Sequence, residues 1–283
     1  MQYGVGLMRM MDWRWHLEQP SLDEIQRLKR AKAYTRKVGV GVIGLGHNGI
    51  AFVRGYQRNS LCEVKAICDL SEKKTRAVSE ELGIKDAYND YGILERRDID
   101  LISVHTPDHL HAEPTVRALE AGKHVFVEKP MATTIEDLKR MVDAAKRSGR
   151  KVMVGHILRF NDHFRLVKRL VDEGTLGRIF YMEGDYVHDL RYQADPLRYN
   201  EKLGYNWYLE HESPIIGGGI HPFDLLRWFA NSNAVEVQAY SNRIAFPAMK
   251  HDDCMVAIFR FANDCLAKVT ATYGCVSPYA HCN

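Results

Sequence analysis

No stretch of the 283 residues stays apolar for long enough to span a bilayer, and the opening residues lack the apolar centre of a secretory signal. Met8 to Trp15 is rich in Met, Arg and Trp, and Asp12 interrupts it. Charge of one sign is also scarce. Thirty-nine Lys and Arg face 36 Asp and Glu, for a formal net charge of +3. Basic clusters such as Arg27 to Arg30 are short and mixed with acids, so nothing resembles an electrostatic footprint for nucleic acid. The six cysteines, at 62, 68, 254, 265, 275 and 282, include no C-x-x-C pair and no Cys/His spacing that suits zinc, and H-E-x-x-H does not occur. No catalytic metal is expected. Scattered, reduced thiols point to a cytoplasmic setting.

What is present suits a sizeable core. The chain is 46% hydrophobic and 27% charged, and it is long enough for two domains. Residues 1–36 read as an N-terminal extension, with a helix over 22–34 started by the capping box Ser21 to Glu24. From Lys37, apolar β-branched runs at 38–43, 64–68, 99–104, 123–127 and 151–154 alternate with helical stretches at 48–59, 71–83, 109–121 and 135–148. That alternation predicts an α/β domain over 37–157, a doubly wound parallel sheet with helices on both faces. The texture then changes. A helix over 161–173, a strand over 180–188, an aromatic stretch, a helix over 222–229 and strands at 234–240, 254–262 and 265–273 predict a second, α+β domain over 158–283. Its sheet is expected to be open and mainly antiparallel.

The most specific segment is VGVGVIGLGHNG, from Val38 to Gly49. Gly44, Gly46 and Gly49 form G-x-G-x-x-G between a strand and a helix, and Asp69 closes the next apolar run 20 residues beyond Gly49. In this setting the first glycine permits the turn, the second lets backbone approach a pyrophosphate, and the third lets helix pack on strand. The helix begins near His47 and Asn48, and its first N–H groups point at phosphate. Asp69 is placed to accept hydrogen bonds from a ribose diol. A carboxylate there repels a 2′-phosphate, so NAD is expected over NADP. Lys73 and Lys74 soften that preference, and NADP stays possible.

Three later segments extend the pattern. Thr106-Pro107-Asp108-His109-Leu110-His111 follows one strand, Glu128-Lys129-Pro130 follows the next, and Gly219-Ile220-His221-Pro222-Phe223-Asp224 opens the late helix. With the glycine turn, and in this order, they resemble the Gfo/Idh/MocA family, the glucose–fructose oxidoreductase and inositol dehydrogenase group. The resemblance runs from about Lys37 to Tyr273. It implies a Rossmann domain followed by an α+β domain, and NAD(P)-dependent oxidation or reduction of a sugar, inositol or related polyol. It implies that Lys129 and His221 are catalytic. It also implies that Thr106, Pro107, His111, Glu128 and Lys129 line the nicotinamide half of the cofactor, and that Gly44, Gly46, Gly49 and Asp69 serve its phosphates and ribose. Lys129, Arg159, His221 and Asp224 are expected near substrate, with Trp207 among the aromatics that could form a flat wall for a sugar ring. Relatives often pair through the second sheet, so a homo-oligomer is a possible partner state.

Elementary chemistry agrees with those roles. Hydride leaves a carbinol carbon only if the hydroxyl proton is removed in step. An imidazole titrates near neutral pH, and a neighbouring ammonium stabilises a developing alkoxide. For Lys129 the bland alternative is a surface lysine ahead of a rigid turn; for Asp224 it is a helix cap. Two departures stand out. Relatives commonly carry an aspartate four residues before the histidine, where this chain has Gly217. Another acid is then needed, with Glu210, Glu212 and Asp185 as candidates, or the site does different chemistry. The family pattern also continues past Asn283, so an incomplete second sheet is expected. Two alternatives remain: a glycosidase that oxidises its substrate transiently with held NAD, and a catalytically silent nucleotide-binding sensor.

Overall fold

Alternating Val and Gly in Val38–Ile43 make β1, whose Val40 and Val42 are fully buried. The computed structural model describes residues 36–190 and 210–275. The helix expected over 22–34 and the aromatic stretch with Trp207 lie outside the described residues.

The described residues fall into two compact units that divide between Val154 and Gly155. In the first, β1 leads to α1 (His47–Arg58), β2 (Cys62–Cys68), α2 (Glu72–Leu82), β3 (Ala87–Tyr88), β4 (Leu101–Val104), α3 (Ala112–Glu120), β5 (His124–Val127), α4 (Ile135–Ser148) and β6 (Val152–Val154). The sheet order is β3-β2-β1-β4-β5-β6, and every pairing is parallel. The connection therefore reverses direction between β1 and β4, and ligands of such sheets bind beyond the carboxyl ends at that point. Two cores cover the two faces. Val40, Val42, Leu45, Val53 and Ile67 build one, and Ile43, Ile93, Ile102, Val104 and Val125 belong to the other. Each such aliphatic side chain contributes about 1.5–3 kcal/mol on burial.

Local chemistry sets the helix limits. Ser71 caps α2 by accepting from Lys74 N–H, and Thr134 caps α4 by accepting from Asp137 N–H. Gly83 and Gly149 end these helices in left-handed conformations, as the sequence predicts for Gly149. The helix expected over 109–121 begins later, at Ala112, because the extended Pro107 leads first into a 3₁₀ turn at Asp108–Leu110. β3 was not anticipated; two residues carry no periodicity.

The second unit holds α5 (Asp162–Asp172), β7 (Tyr181–Val187), α6 (Pro214–Gly217), α7 (Ile220–Ala230), β8 (Ala234–Asn242), β9 (Cys254–Phe261) and β10 (Leu266–Thr272). Its sheet order is β7-β10-β9-β8. β10 pairs antiparallel with β9, as β9 does with β8, while β10 and β7 run parallel, so the sheet is mixed but mainly antiparallel. One face packs Ala267, Val269 and Phe261 against Leu226 and Ala230 of α7. The other leaves Tyr240, Val256 and Ile258 exposed. Among the described residues, no helix is long and apolar enough to cross a membrane.

Candidate functional site

The glycine turn sits at the carboxyl end of β1 in the first unit. Gly44 has φ +94°, which an L side chain rarely adopts. A Cβ on Gly49 would overlap the Gly44 carbonyl oxygen, so the first turn of α1 lies directly on the turn backbone. A Cβ on Gly46 would meet nothing within 4 Å. That open space lies over an exposed helix start, at Gly46, His47 and Asn48, where no side chain caps the N-terminus. The amides capped by side chains in α2 and α4 are here left to another acceptor, and an anion is the natural one.

Asp69 is held beside this turn. Its carboxylate accepts from Leu45 N–H at 2.8 Å and Ser71 N–H at 3.0 Å, and Lys74 Nζ lies 3.2 Å away. The carboxylate thus spans the turn after β1 and the start of α2. The open cradle, the uncapped helix and the positioned acid fit a dinucleotide on three independent counts.

The neighbouring strand ends supply a buried polar cluster. Tyr56 OH and Ser103 Oγ are 3.0 Å apart, and Ser103 Oγ lies 2.7 Å from His105 Nε2. Glu128 Oε1 approaches His105 Nδ1 to 3.7 Å, beyond hydrogen-bond length. Phe52 and Phe126 flank the His105 ring. Burial pushes the Glu128 carboxyl above its usual range. Thr106 Oγ1 is buried with no hydrogen-bond partner among the described residues. Glu128 Oε2 accepts from the Lys129 N–H, and Lys129 itself is half-buried.

His111 ties the loops together. Its Nδ1 is 2.7 Å from the Pro130 carbonyl oxygen and its Nε2 is 2.9 Å from that of Thr106. The structure therefore brings Thr106, Pro107, His111, Glu128 and Lys129 onto two linked loops. His111 is fully buried and acts as their fastener. Burial, opposed by the two carbonyls, brings its pKa down to about 4. Burial, with the nearby His111 charge, brings that of His105 to about 3.

These two depressed values have a direct consequence. Below about pH 6.5 the unfolded chain binds two protons that the folded chain refuses. The stabilisation is therefore present at neutral pH and is lost as pH falls from the unfolded value toward 3–4. Each histidine contributes a slope of about 1.36 kcal/mol per pH unit. Glu128, raised in the fold, works the other way, but one group against two leaves the sign unchanged. Urea melts should give a lower midpoint at about pH 5 than at about pH 7. A midpoint that holds or rises in acid would contradict the neutral, buried state of both rings.

The second unit carries the other candidates. Arg159 and Asp224 make a two-pronged ion pair with each other, Nε to Oδ2 at 2.6 Å and Nη2 to Oδ1 at 2.7 Å. Arg159 also lies over the Trp228 ring, and His156 Nδ1 is 3.8 Å from Asp224. Asp224 is thus neither a helix cap nor an isolated acid; it binds the segment before α5 to α7. His221 opens α7, with its ring stacked on Tyr186 at 6.1 Å.

Of the three acids weighed for the gap at Gly217, two point elsewhere. Asp185 lies on the open face of β7, 3.4 Å from Lys268, and Glu210 is exposed beside Lys250. Glu212 is only 2% exposed, and its carboxyl group occupies the space a Cβ on Gly217 would take. Tyr186 and Tyr273, which surround it, carry no motif that sequence reading could have found.

Comparison with known proteins agrees with this geometry. A family profile described as "Oxidoreductase family, NAD-binding Rossmann fold" matches residues 38–156, and "GFO/IDH/MocA C-terminal domain" matches 164–282. A 1-carboxy-3-chloro-3,4-dihydroxycyclohexa-1,5-diene dehydrogenase of Comamonas testosteroni is 29% identical over 86% of this chain and 59% of its own. A glycosyl hydrolase family 109 protein of Shewanella sp. is 32% identical over 75% of this chain and 49% of its own. The chain thus spans about half the length of these curated relatives. Among solved structures, an aldose-aldose oxidoreductase of Caulobacter crescentus, complexed with glycerol, superposes with a TM-score of 0.73 at 27% identity, over 84% of this chain and 72% of that one. With both halves matched in order, and the glycine turn and acid placed as an NAD-binding sheet requires, the chain belongs to the Gfo/Idh/MocA oxidoreductase family.

Proposed function

We propose that this chain binds NAD at the carboxyl ends of β1 and β4 and transfers hydride between it and a hydroxyl-bearing carbon of a sugar, inositol or related polyol. The observation that carries the reading is the open cradle at Gly46, with an uncapped helix start on one side and Asp69 on the other. The α1 amides receive the pyrophosphate, and Asp69 accepts from the ribose hydroxyls. The carboxylate disfavours a 2′-phosphate, and Lys74 offsets it in part, so NAD is preferred and NADP is the weaker ligand. When bound, the nicotinamide supplies the hydride acceptor. The Lys129 ammonium stabilises the developing alkoxide, and His221 receives the hydroxyl proton. Thr106, Pro107, His111 and Glu128 shape the nicotinamide side. Arg159 and Asp224 support α7 through their mutual ion pair, and either could reach substrate only by exchanging that pair.

A panel of sugars and polyols incubated with NAD tests this directly. NADH should accumulate with at least one polyol. Glycosides that release sugar with no net NADH would favour the second reading, a glycosidase, whose motive is the likeness to glycosyl hydrolase family 109 proteins. Apolar Tyr240, Val256 and Ile258 on the open sheet support a homo-oligomer through that face. The free thiols of Cys62, Cys68, Cys254 and Cys265 support a reducing, cytoplasmic setting.

A further inference from the structure

We propose that Glu212 is the positioning acid of His221, seated over Gly217 and joined to the imidazole's surroundings through Tyr186 and Tyr273. The inference rests on the reading of His221 as the proton acceptor.

Three features build this arrangement. First, Glu212 is 2% exposed, and a carboxylate is taken out of water only where other groups offset the cost. The Tyr273 hydroxyl donates to its Oε1. Second, the backbone has been cleared for it. A Cβ on Gly217 would coincide with the Glu212 carboxyl group, and one on Gly218 would coincide with the Tyr186 ring. Two adjacent glycines thus admit an acid and a phenol to the turn that leads into α7. Third, that turn ends at His221, and Tyr186 stacks on its ring with planes 27° apart. Tyr186 and Tyr273 meet edge-on at 6.5 Å. The Glu212 charge is felt there: burial and Glu212 together push the Tyr186 hydroxyl up to about 12. Glu212 therefore takes up the room that a side chain at 217 would fill and brings negative charge to the helix start that carries the imidazole.

A carboxylate in this place favours the protonated imidazole and restricts its ring. Among the described residues, the other titratable groups around the turn include Tyr186 and His188 from the end of β7, Tyr273 beyond β10, Glu210 and His211 just before Glu212, and Asp224 one turn along α7, paired with Arg159 beside His156. Asp224 already shares its charge with Arg159. His188 stands 6.1 Å from Tyr273 and is the natural control.

The test is the titration of His221 by imidazole NMR in the cofactor-free protein, which needs no substrate. Glu212→Gln should lower the His221 midpoint by about one pH unit, while His188→Gln leaves the Glu212 dependence in place. Gly217→Asp alone should destabilise the fold, because its Cβ meets the Glu212 carboxyl. Combined with Glu212→Ala it should fold and restore the midpoint, since the acid then comes from position 217 itself. An unchanged His221 midpoint in Glu212→Gln, or a double variant that folds with the midpoint of Glu212→Ala, would overturn the proposal. If the midpoint moves as stated but no polyol reduces NAD, Glu212 is coupled to His221 and the functional reading fails instead.

Discussion

Replacing Lys129 by alanine should lower turnover of a confirmed polyol substrate by about 10²–10³-fold while NAD affinity stays within a few-fold. The expectation follows from how the residue is held. Lys129 follows a buried glutamate that takes its backbone N–H, and the next residue offers its carbonyl to His111. His111 also holds the Thr106 carbonyl, so the loops after β4 and β5 form one braced unit. A backbone braced this way fixes the point from which the Lys129 side chain extends toward a developing charge. Lys129→Arg should rescue poorly, because a planar guanidinium does not replace a compact ammonium. The readout is steady-state kinetics beside an NAD titration of each variant. Turnover that survives in Lys129→Ala would remove this residue from the chemistry.

The second large effect separates two glycines that look equivalent in the motif. Gly49→Ala places a methyl group against the Gly44 carbonyl, and backbone cannot rotate away as a side chain would. The turn must open or α1 must shift, which costs about 3 kcal/mol, and NAD affinity falls with the fold. Gly46→Ala points its methyl into open space, so stability should change by only about 0.5 kcal/mol. Its NAD affinity should nevertheless fall about tenfold or more, because the methyl stands where a pyrophosphate approaches the α1 amides. Urea melts and NAD titrations of the two variants give four numbers. If Gly46→Ala binds NAD as tightly as the parent, the phosphates do not pass over that residue.

The fold was legible because its signals were local. β1, α1 and Asp69 could be placed from spacing alone, and α4 agrees at both ends with the range expected from periodicity and from Gly149. Failures came where spacing carries no information. Pro107 and the turn after it delayed α3, and the two-residue β3 left no pattern. The parallel pairing of β10 with β7 joins segments about 85 residues apart, which a count of strands cannot orient. The site was legible as a list and not as an arrangement. Arg159 and Asp224 read as separate substrate ligands, whereas each is the other's partner. The acid that accompanies the gap at Gly217 could be narrowed to three residues by composition. Only burial distinguished Glu212 from Asp185 on the open face and from exposed Glu210. Tyr56, Ser103 and His105 form their chain through the ends of different elements, and no motif joins them.

The central claim is that the crevice between β1 and β4 holds NAD, with Asp69 choosing it over the 2′-phosphorylated form. Calorimetric titration of the folded protein with NAD and NADP, repeated on Asp69→Ala, tests it most directly. The account predicts saturable NAD binding at one site per chain and weaker NADP binding. In Asp69→Ala, NAD should weaken and NADP gain relative to it. Folded protein that takes up neither dinucleotide, or an Asp69→Ala variant with the parent's affinities and preference, would contradict it.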